Sequence, residues 1–327
     1  MKLKNKLLHF FLLLIVILPQ NVLAYSSYVI PGGETVGIEV NSKGVLVVGF
    51  YKVNETYIGR DAGFLVGDKI KKVNNQSIDT IDQMIKIINQ NKEEPFTFTL
   101  DRDKKEEVIT FQLEADTDGG HKTGLYVKDQ ITGIGTLTYI DPNTKIFGAL
   151  GHEIIEKTTA EKFMIKDGKI FGANVVGIDK SSRGVAGEKK ATYDKENIFG
   201  TVNNNAVSGI FGKYTEDING REKLKVADSS EIKLGKATIR TVVTGDTIET
   251  FDINILKLDN SNETKNILFE IVDEKLINTS GGVVQGMSGS PIIQDDKIIG
   301  AVTHVIVNDS TKGYGILITT MLKEGEN

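Results

Sequence analysis

The chain has 327 residues, a formal net charge of −5 and no cysteine. This length indicates two domains beside a leader. The absence of cysteine excludes disulfides, thiolate zinc sites and a cysteine nucleophile, and the acidic balance offers no basic field that would attract nucleic acid. The composition is compatible with a secreted protein that does not rely on disulfides.

Residues 1–24 have the pattern of an export signal. Three lysines open the chain, Leu7–Leu18 is an apolar run, and Val22–Ala24 ends on a small residue suited to cleavage. The run is shorter than the roughly 20 residues that a membrane-spanning helix needs. We therefore expect an exported protein whose leader is a signal peptide or an N-terminal anchor.

Residues 28–114 have the pattern of one small domain. Val36–Val40 and Lys43–Phe50 suit strands. Asp79 can cap a helix in which apolar residues recur at i, i+3, i+4 and i+7. Two alternating runs, Phe96–Leu100 and Val108–Leu113, predict a closing pair of strands.

This order of elements resembles a PDZ domain of the kind found beside bacterial proteases. The matching segments are V-G-I at Val36–Ile38, A-G-x-x-x-G-D-x-I at Ala62–Ile70 and V-N-x-x-x-I at Val73–Ile78. The resemblance implies that a peptide pairs with this domain as an added strand. It also implies that a peptide carboxylate binds the backbone N–H groups of Val36, Gly37 and Ile38. The alternative is a packing domain whose groove is blocked by the rest of the chain.

Residues 122–320 form the second predicted domain, after a polar linker at Glu114–His121. Its β-type runs are short and are separated by clusters of Gly, Asn and Asp, while helical periodicity is scarce. Many short strands with frequent turns predict a sandwich or a barrel.

The sequence V-Q-G-M-S-G-S-P at Val284–Pro291 makes Ser288 the candidate nucleophile. A glycine-bearing turn exposes a serine hydroxyl and points N–H groups at a developing oxyanion. The order differs from the G-x-S-x-G of α/β-hydrolases and is more similar to the G-x-S-G-x-P of trypsin-like proteases. That similarity implies an oxyanion hole made by the N–H groups of Gly286 and Ser288. It also implies a substrate-pairing strand at Thr303, His304 and Val305. The alternative is a plain glycine-serine turn between strands.

The candidate base is His152, in I-F-G-A-L-G-H-E at the end of a strand pattern. A neutral imidazole can accept the serine proton near neutral pH. His304 is the rival, but it lies within a strand pattern where a lone histidine is usually structural. His121 falls in the predicted linker.

A third residue, an aspartate, would orient the imidazole and stabilise its charged form. Periodicity does not choose among the candidates between base and nucleophile. These are Asp228, Asp246, Asp252, Asp259 and Asp273.

The second domain closely resembles the SpoIVB peptidase family, the serine proteases of endospore formation. The resemblance rests on G-A-L-G-H-E at Gly148–Glu153, G-G-V-V-Q-G-M-S-G-S-P-I-I at Gly281–Ile293 and A-V-T-H-V-x-V-N-D at Ala301–Asp309. It carries the base to His152 and the nucleophile to Ser288, and it selects Asp273 as the acidic partner. The leader, PDZ-like domain and peptidase domain follow the family's order.

The resemblance implies a mainly β protein, with a PDZ-like α+β domain followed by a trypsin-like double β-barrel peptidase domain. It implies a PDZ-regulated, self-cleaving serine endopeptidase in the forespore intermembrane space. Its substrate would be a membrane-associated regulator, whose cleavage releases an intramembrane protease and activates a late mother-cell sigma factor. The PDZ groove would hold a peptide or the chain's own N-terminal segment, and the leader would give membrane association.

Two other functions remain open at this point. In one, the PDZ-like domain is a signalling module and the peptidase domain is an idle scaffold. In the other, the same serine serves an esterase. No sequence motif for a phosphate, a dinucleotide or a catalytic metal is present, so no cofactor and no metal are expected.

Overall fold

The computed structural model describes residues 25–91, 95–115 and 120–326. The predicted leader, residues 1–24, lies outside the described residues. Strands dominate these ranges, which confirms the mainly β prediction. No helix in the described ranges is both long enough and apolar enough to cross a bilayer.

The first part of the chain combines strands with two helices. These elements are β1 Tyr28–Pro31, β2 Thr35–Phe50, α1 Ile58–Asp61, β3 Lys69–Val73, β4 Gln76–Ser77, α2 Ile81–Gln90, β5 Phe96–Arg102, β6 Lys105–Phe111, β7 Glu114–Ala115 and β8 His121–Lys122.

The second part is almost wholly β. Its strands and helices are β9 Leu125–Ile140, β10 Ile146–Ala149, β11 Ile155–Glu156, β12 Glu161–Lys162, β13 Ile165–Asp179, β14 Gly187–Ala206, β15 Gly209–Tyr214, β16 Leu224–Val226, β17 Gly235–Val242, β18 Ile248–Leu258, β19 Ile267–Ile271, α3 Glu274–Ser280, β20 Val284–Gln285, β21 Pro291–Gln294, β22 Lys297–Val305, β23 Lys312–Leu317 and α4 Ile318–Gly325.

A PDZ-like unit packs around its own apolar core. Helix α2 begins after Thr80, one residue later than the predicted cap at Asp79, because the Thr80 hydroxyl accepts the Gln83 N–H in a capping box. A buried ion pair, Asp68 with Arg102 at 2.7 Å, fastens β5 to the turn before β3. The core residues are Val45, Val47, Phe64, Ile70, Val73, Ile78, Met84, Ile87, Ile88, Phe96, Phe98, Leu100, Leu113 and Leu125.

The boundaries of this unit differ from the predicted 28–114. Residues 35–41 of β2 belong to the neighbouring barrel core, and the same strand enters the PDZ-like unit only after a bulge between Asn41 and Leu46. In exchange, Leu125–Lys128 of β9 pairs with Leu46–Phe50 and joins the PDZ-like sheet. Two long strands, β2 and β9, thus run through both parts of the molecule.

This strand sharing corrects the predicted carboxylate loop at Val36, Gly37 and Ile38. These residues pair with β9 on one side and with β13 on the other. Both edges of the strand are therefore occupied by the protein itself, and the three residues are buried. A peptide cannot add to a strand whose hydrogen-bonding edges are already filled, so in this structure these three residues offer no open edge to a peptide.

The rest of the chain forms two closed circuits of paired strands. The first runs β9-β2-β13-β14-β15-β10 and returns to β9. The second runs β17-β18-β19-β23-β22-β21 and returns to β17. Each encloses a separate apolar core, around Phe147 in the first and Phe269 in the second.

Candidate active site

The turn that carries Ser288 crosses between the two strand circuits. It follows β20, which pairs with β14, and it precedes β21 of the second circuit. Gly286 and Gly289 both have positive φ, +94° and +95°, a conformation that favours glycine. A Cβ on Gly289 would lie 2.1 Å from the Thr136 carbonyl oxygen, so the close approach of β9 also requires glycine there.

Strand β9 holds this turn from below through two threonines. The Thr136 hydroxyl donates to the Gly286 carbonyl at 2.7 Å, and the Thr136 N–H donates to the Ser288 carbonyl at 2.9 Å. The Thr138 hydroxyl donates to the Gly289 carbonyl at 2.8 Å. These bonds fix the carbonyls of three turn residues, Gly286, Ser288 and Gly289. Both threonines are fully buried, which strengthens their hydrogen bonds.

The predicted oxyanion donors remain available in this arrangement. Over the described ranges, neither the Gly286 N–H nor the Ser288 N–H donates to another protein group, whereas the Met287 and Gly289 N–H groups are both bonded. The oxyanion hole stays a prediction, and the geometry of the turn is compatible with it.

The Ser288 hydroxyl is half-buried and donates to the Thr303 carbonyl at 2.9 Å. Thr303 lies in β22, which pairs with β23 from Gly300 to Val305. The other edge of β22 binds β21 only as far as Ala301. The segment Thr303, His304 and Val305 therefore lies beside the serine with one edge outside the ladder, as the predicted substrate strand requires.

His152 follows β10 after a tight turn in which Leu150 and Gly151 have positive φ. Its Nδ1 lies 2.8 Å from the Glu153 carbonyl oxygen. A neutral ring with its proton on Nδ1 donates to that carbonyl and leaves Nε2 as a proton acceptor. Burial lowers the pKa of His152 below its ordinary value, which favours the neutral form.

His304, the rival base, lies against His152 with ring centroids 5.4 Å apart. His304 is exposed overall. Burial, with the neighbouring charges of His152 and Lys265, lowers the pKa of His304 to about 4. A base with so low a pKa is a weak proton acceptor near neutral pH, so His304 is neutral there but poorly suited to take the serine proton.

Ser288 and His152 line one cavity of about 410 Å³. His304, Gln285 and Gly286 also line it. The remaining wall is mostly apolar, and its large side chains are Ile38, Ile131, Ile134, Leu150, Ile154 and Ile155. The fold thus brings together two residues that are 136 positions apart in the chain. In the described residues no hydrogen bond yet joins the Ser288 hydroxyl to either imidazole.

Asp273 occupies a different place from the one implied by the family resemblance. It is the N-cap of α3, where its Oδ1 accepts the Leu276 N–H at 2.9 Å and its Oδ2 accepts the Asp252 N–H at 3.4 Å. It does not line the cavity, and His152 Nδ1 faces the Glu153 carbonyl instead. In this structure Asp273 caps α3, and the group that His152 Nδ1 meets is the Glu153 carbonyl, so Asp273 does not occupy the orienting position that the resemblance implies.

No sequence pattern points to the residues that support the turn. Thr136 and Thr138 lie in an ordinary strand pattern, and their role depends on a contact about 150 positions along the chain. The Glu153 carbonyl is a backbone group, so residue types cannot reveal it.

A second cavity, of about 330 Å³, lies between α2 and the start of β9. Its wall combines helix residues with Thr123, Leu125 and Val127, and α2 is tied to β9 because Asp129 accepts the Ile81 N–H at 2.8 Å. A helix facing a strand is the arrangement of a PDZ peptide groove. The residues directly before that strand are Thr123 and Gly124, whereas the predicted segment was Val36–Ile38.

Comparisons with known proteins agree with the peptidase interpretation. A model of the SpoIVB peptidase S55 family matches residues 119–322. Among curated proteins, the probable protease eep of Enterococcus faecalis is 32% identical over 102 residues, 28% of this chain and 24% of that protein. The match thus spans about a quarter of this relative's length.

Two solved structures are similar to parts of the chain. The PDZ domain of an SdrC-like protein from Listeria monocytogenes has 19% identity and a TM-score of 0.23, over 27% of this chain and 90% of that one. The inactive form of Rv3671c from M. tuberculosis, a serine-to-alanine mutant, has 14% identity and a TM-score of 0.31, over 59% of this chain and 79% of that one.

Proposed function

The chain belongs to the SpoIVB peptidase S55 family, and from this premise we propose that Ser288 is its nucleophile and His152 its general base. The observation that carries this assignment is the cavity that both side chains line. The glycine-bearing turn beside it supplies two N–H groups suited to an oxyanion. The chain is a peptidase, and the serine type fits its family.

The proposed reaction begins when the Ser288 hydroxyl turns from the Thr303 carbonyl toward His152 Nε2. His152 takes the proton while Ser288 Oγ bonds to the peptide carbonyl carbon, and the carbonyl oxygen gains negative charge at the Gly286 and Ser288 N–H groups. His152 then gives the proton to the leaving amine. Water, activated by the same imidazole, releases the acyl group and restores Ser288.

The Glu153 carbonyl would take the orienting role that an aspartate has in a Ser-His-Asp triad. It holds Nδ1–H at 2.8 Å and so fixes the tautomer that presents Nε2 to the serine. In the same proposal, the two strand circuits are the two barrels of a trypsin-like peptidase domain.

The biological role that family membership suggests is signalling during sporulation. We infer that the exported enzyme acts in the forespore intermembrane space and cuts a membrane-associated regulator. That cut would release an intramembrane protease, which activates a late mother-cell sigma factor. Self-cleavage near the N-terminus belongs to the same proposal.

A direct test is to follow the substrate and the enzyme in sporulating cells. Cells with Ser288→Ala or His152→Ala are expected to accumulate the intact enzyme and to lack the mature sigma factor. A wild-type level of mature sigma factor in Ser288→Ala cells would instead support the idle-scaffold alternative, in which the PDZ-like unit alone signals.

The cavity between α2 and β9 is the proposed peptide groove. Its walls are apolar at Met84, Ile85, Ile88 and Leu125, and β9 pairs there only with β2 among the described strands. An extended peptide with an apolar C-terminal side chain fits such a groove, since it can pair with the open strand edge and bury its last residue. Strand β9 continues to Thr136 under the Ser288 turn, which provides a physical connection for PDZ regulation.

The groove proposal is tested with a fluorescent peptide ending in valine and a free carboxylate. Ile85→Glu, at a half-exposed groove position, is expected to abolish binding, whereas Val108→Glu on the exposed face of β6 is the matched control. Equal binding by both variants would place the peptide elsewhere.

A further inference from the structure

Lys189 of β14 is a buried lysine that forms no ion pair with a carboxylate of the described residues. It is 1% exposed, and within those residues its side-chain nitrogen donates to two hydroxyls, Thr241 Oγ1 at 2.9 Å and Thr35 Oγ1 at 3.2 Å. Buried lysines are rare unless they are paired with an acid. Because burial of a lysine without an acidic partner is unfavourable, the position of Lys189 indicates a specific role.

The stem of Lys189 lies directly beneath the turn that carries the nucleophile. A Cβ built on Gly286 would meet the Cδ, Cβ and Cγ atoms of Lys189 at 3.1 to 3.3 Å. The register explains this contact, because Gly187 and Glu188 pair with Val284 and Gln285 of β20. The residue that follows on β14 is Lys189, and the residue that follows β20 is Gly286. The pairing therefore places Lys189 beside the first residue of the proposed oxyanion turn.

The head of Lys189 bridges the two strand circuits. Thr35 begins β2 of the first circuit and Thr241 is in β17 of the second. Thr35 is also the register partner of Thr136, whose hydroxyl holds the Gly286 carbonyl. The lysine therefore supports the Gly286 turn both by direct packing and through its strand neighbours.

Among the described residues, the groups that contact Lys189 or pair with it are uncharged. They are the hydroxyls of Thr35 and Thr241, the backbone of Gly286, and Ile178, its register partner on β13. Glu34, the residue before Thr35, is paired with Arg221 instead.

We propose that Lys189 is a positioning residue of the peptidase: its stem and head hold Gly286 in the conformation that presents the oxyanion N–H groups. This inference rests on the proposed function of Ser288. It adds a residue that touches neither substrate nor the reacting atoms and that acts through the turn.

The proposal has a consequence for the dependence of activity on pH. Burial lowers the pKa of Lys189 to about 7, so the amine is neutral in mildly alkaline solution and gains a proton in acid. A charged Lys189 without an acidic partner is unfavourable in this buried position. If the protonated side chain moves toward solvent, the Gly286 turn loses the packing of its stem. Burial also lowers the pKa of His152 below its ordinary value, so His152 titrates on the acid side of Lys189.

The test measures the rate at which a fluorophosphonate labels the full-length protein between pH 5.5 and 9. The variants are Lys189→Met, which keeps an apolar stem, and Lys189→Ala, which removes it. Lys190→Met, which breaks only an exposed ion pair with Asp179, is the control. Circular dichroism establishes that each protein is folded at each pH.

The wild-type rate is expected to rise through about pH 7, in step with the titration of Lys189. The labelling rate of Lys189→Met should stay within about threefold of the wild-type rate at pH 8.5. It should lack the rise through about pH 7 and should fall only at the lower pH where His152 gains a proton. Lys189→Ala should be at least about tenfold slower at every pH, because the turn loses its packing. Lys190→Met should follow the wild-type profile.

Two results would overturn the positioning role: a Lys189→Met profile that superimposes on wild type, or a folded Lys189→Ala protein that labels at the wild-type rate. If Lys189→Ala does not fold, the Lys189→Met profile decides the question. A wild-type protein that is never labelled would be a failure of the serine assignment, and the positioning role would fail with it.

Discussion

Substitutions of Asp273 distinguish a helix cap, as seen in the structure, from the acid of a catalytic triad. As the N-cap of α3, Asp273 accepts the Leu276 N–H, and asparagine is as good a cap as aspartate. Asp273→Asn is therefore expected to leave both stability and catalysis close to wild type. Asp273→Ala removes the cap and is expected to lower the free energy of unfolding.

The magnitude follows from the two hydrogen bonds that the alanine variant loses. Loss of an N-cap costs about 1 kcal/mol, and the longer bond from the Asp252 N–H, at 3.4 Å, adds at most a few tenths of a kcal/mol. We expect a loss of about 1 to 1.5 kcal/mol for Asp273→Ala. In a Ser-His-Asp triad the asparagine change instead lowers kcat by about 10⁴.

The assay combines urea unfolding with the rate of fluorophosphonate labelling. Asp228 is the matched control, since it caps the 3₁₀ turn Ser229–Glu231 by accepting the Ser230 N–H at 2.9 Å. Asp273→Ala and Asp228→Ala should be less stable, while these two variants and Asp273→Asn and Asp228→Asn all label near the wild-type rate. A drop of about 10³ or more in labelling by a stable Asp273→Asn protein would refute the cap assignment.

Three further changes test other parts of the structure. Thr136→Val leaves the Gly286 carbonyl without its buried donor, so labelling should slow by about tenfold while urea unfolding shows a loss of about 1–3 kcal/mol. Arg102→Met strands the buried Asp68 carboxylate, and hydrogen exchange in β3 and β5 should reveal a loss of about 3 kcal/mol in the PDZ-like unit. Lys189 has a pKa lowered by burial to about 7, so the unfolded chain binds more protons than the folded one from there up to about pH 10.5. Stability should therefore rise with pH in this window by up to about 1.4 kcal/mol per unit, and urea unfolding of Lys189→Met should lack that slope.

Local patterns in the sequence were sufficient for the parts of the fold that depend on neighbours in the chain. The helical spacing after residue 80 predicted α2, and the polar and glycine clusters predicted a mainly β second domain. The serine turn and the histidine at a strand end were also visible, because each needs a short, distinctive stretch of residues. The structure places both on one cavity.

Strand exchange between the two parts of the molecule was hidden from the sequence. The V-G-I segment matched a PDZ loop, yet Val36 pairs with Gly135 and Gly172, which lie about 100 and 136 positions away. A single run of apolar residues in β2 serves two cores, and nothing in its periodicity marks where one ends and the other begins. The partner of a strand is fixed by long-range packing, so the predicted boundary at residue 28 could not anticipate that residues 35–41 pair within the neighbouring circuit.

The supporting residues were hidden for a related reason. Lys189 lies in a polar stretch of the sequence that predicts solvent exposure, but the pairing of β14 with β20 buries it under Gly286. Asp273 shows the reverse case, in which a residue implied by family resemblance to act in the site caps a helix instead.

The most direct test of the account is mass spectrometry of the protein after reaction with a fluorophosphonate. The account predicts a single adduct on Ser288, lost in Ser288→Ala and reduced by at least about 10³ in His152→Ala. Undiminished labelling of Ser288 in the His152→Ala protein, or an adduct on a different serine, would contradict the pairing of these two residues as nucleophile and base.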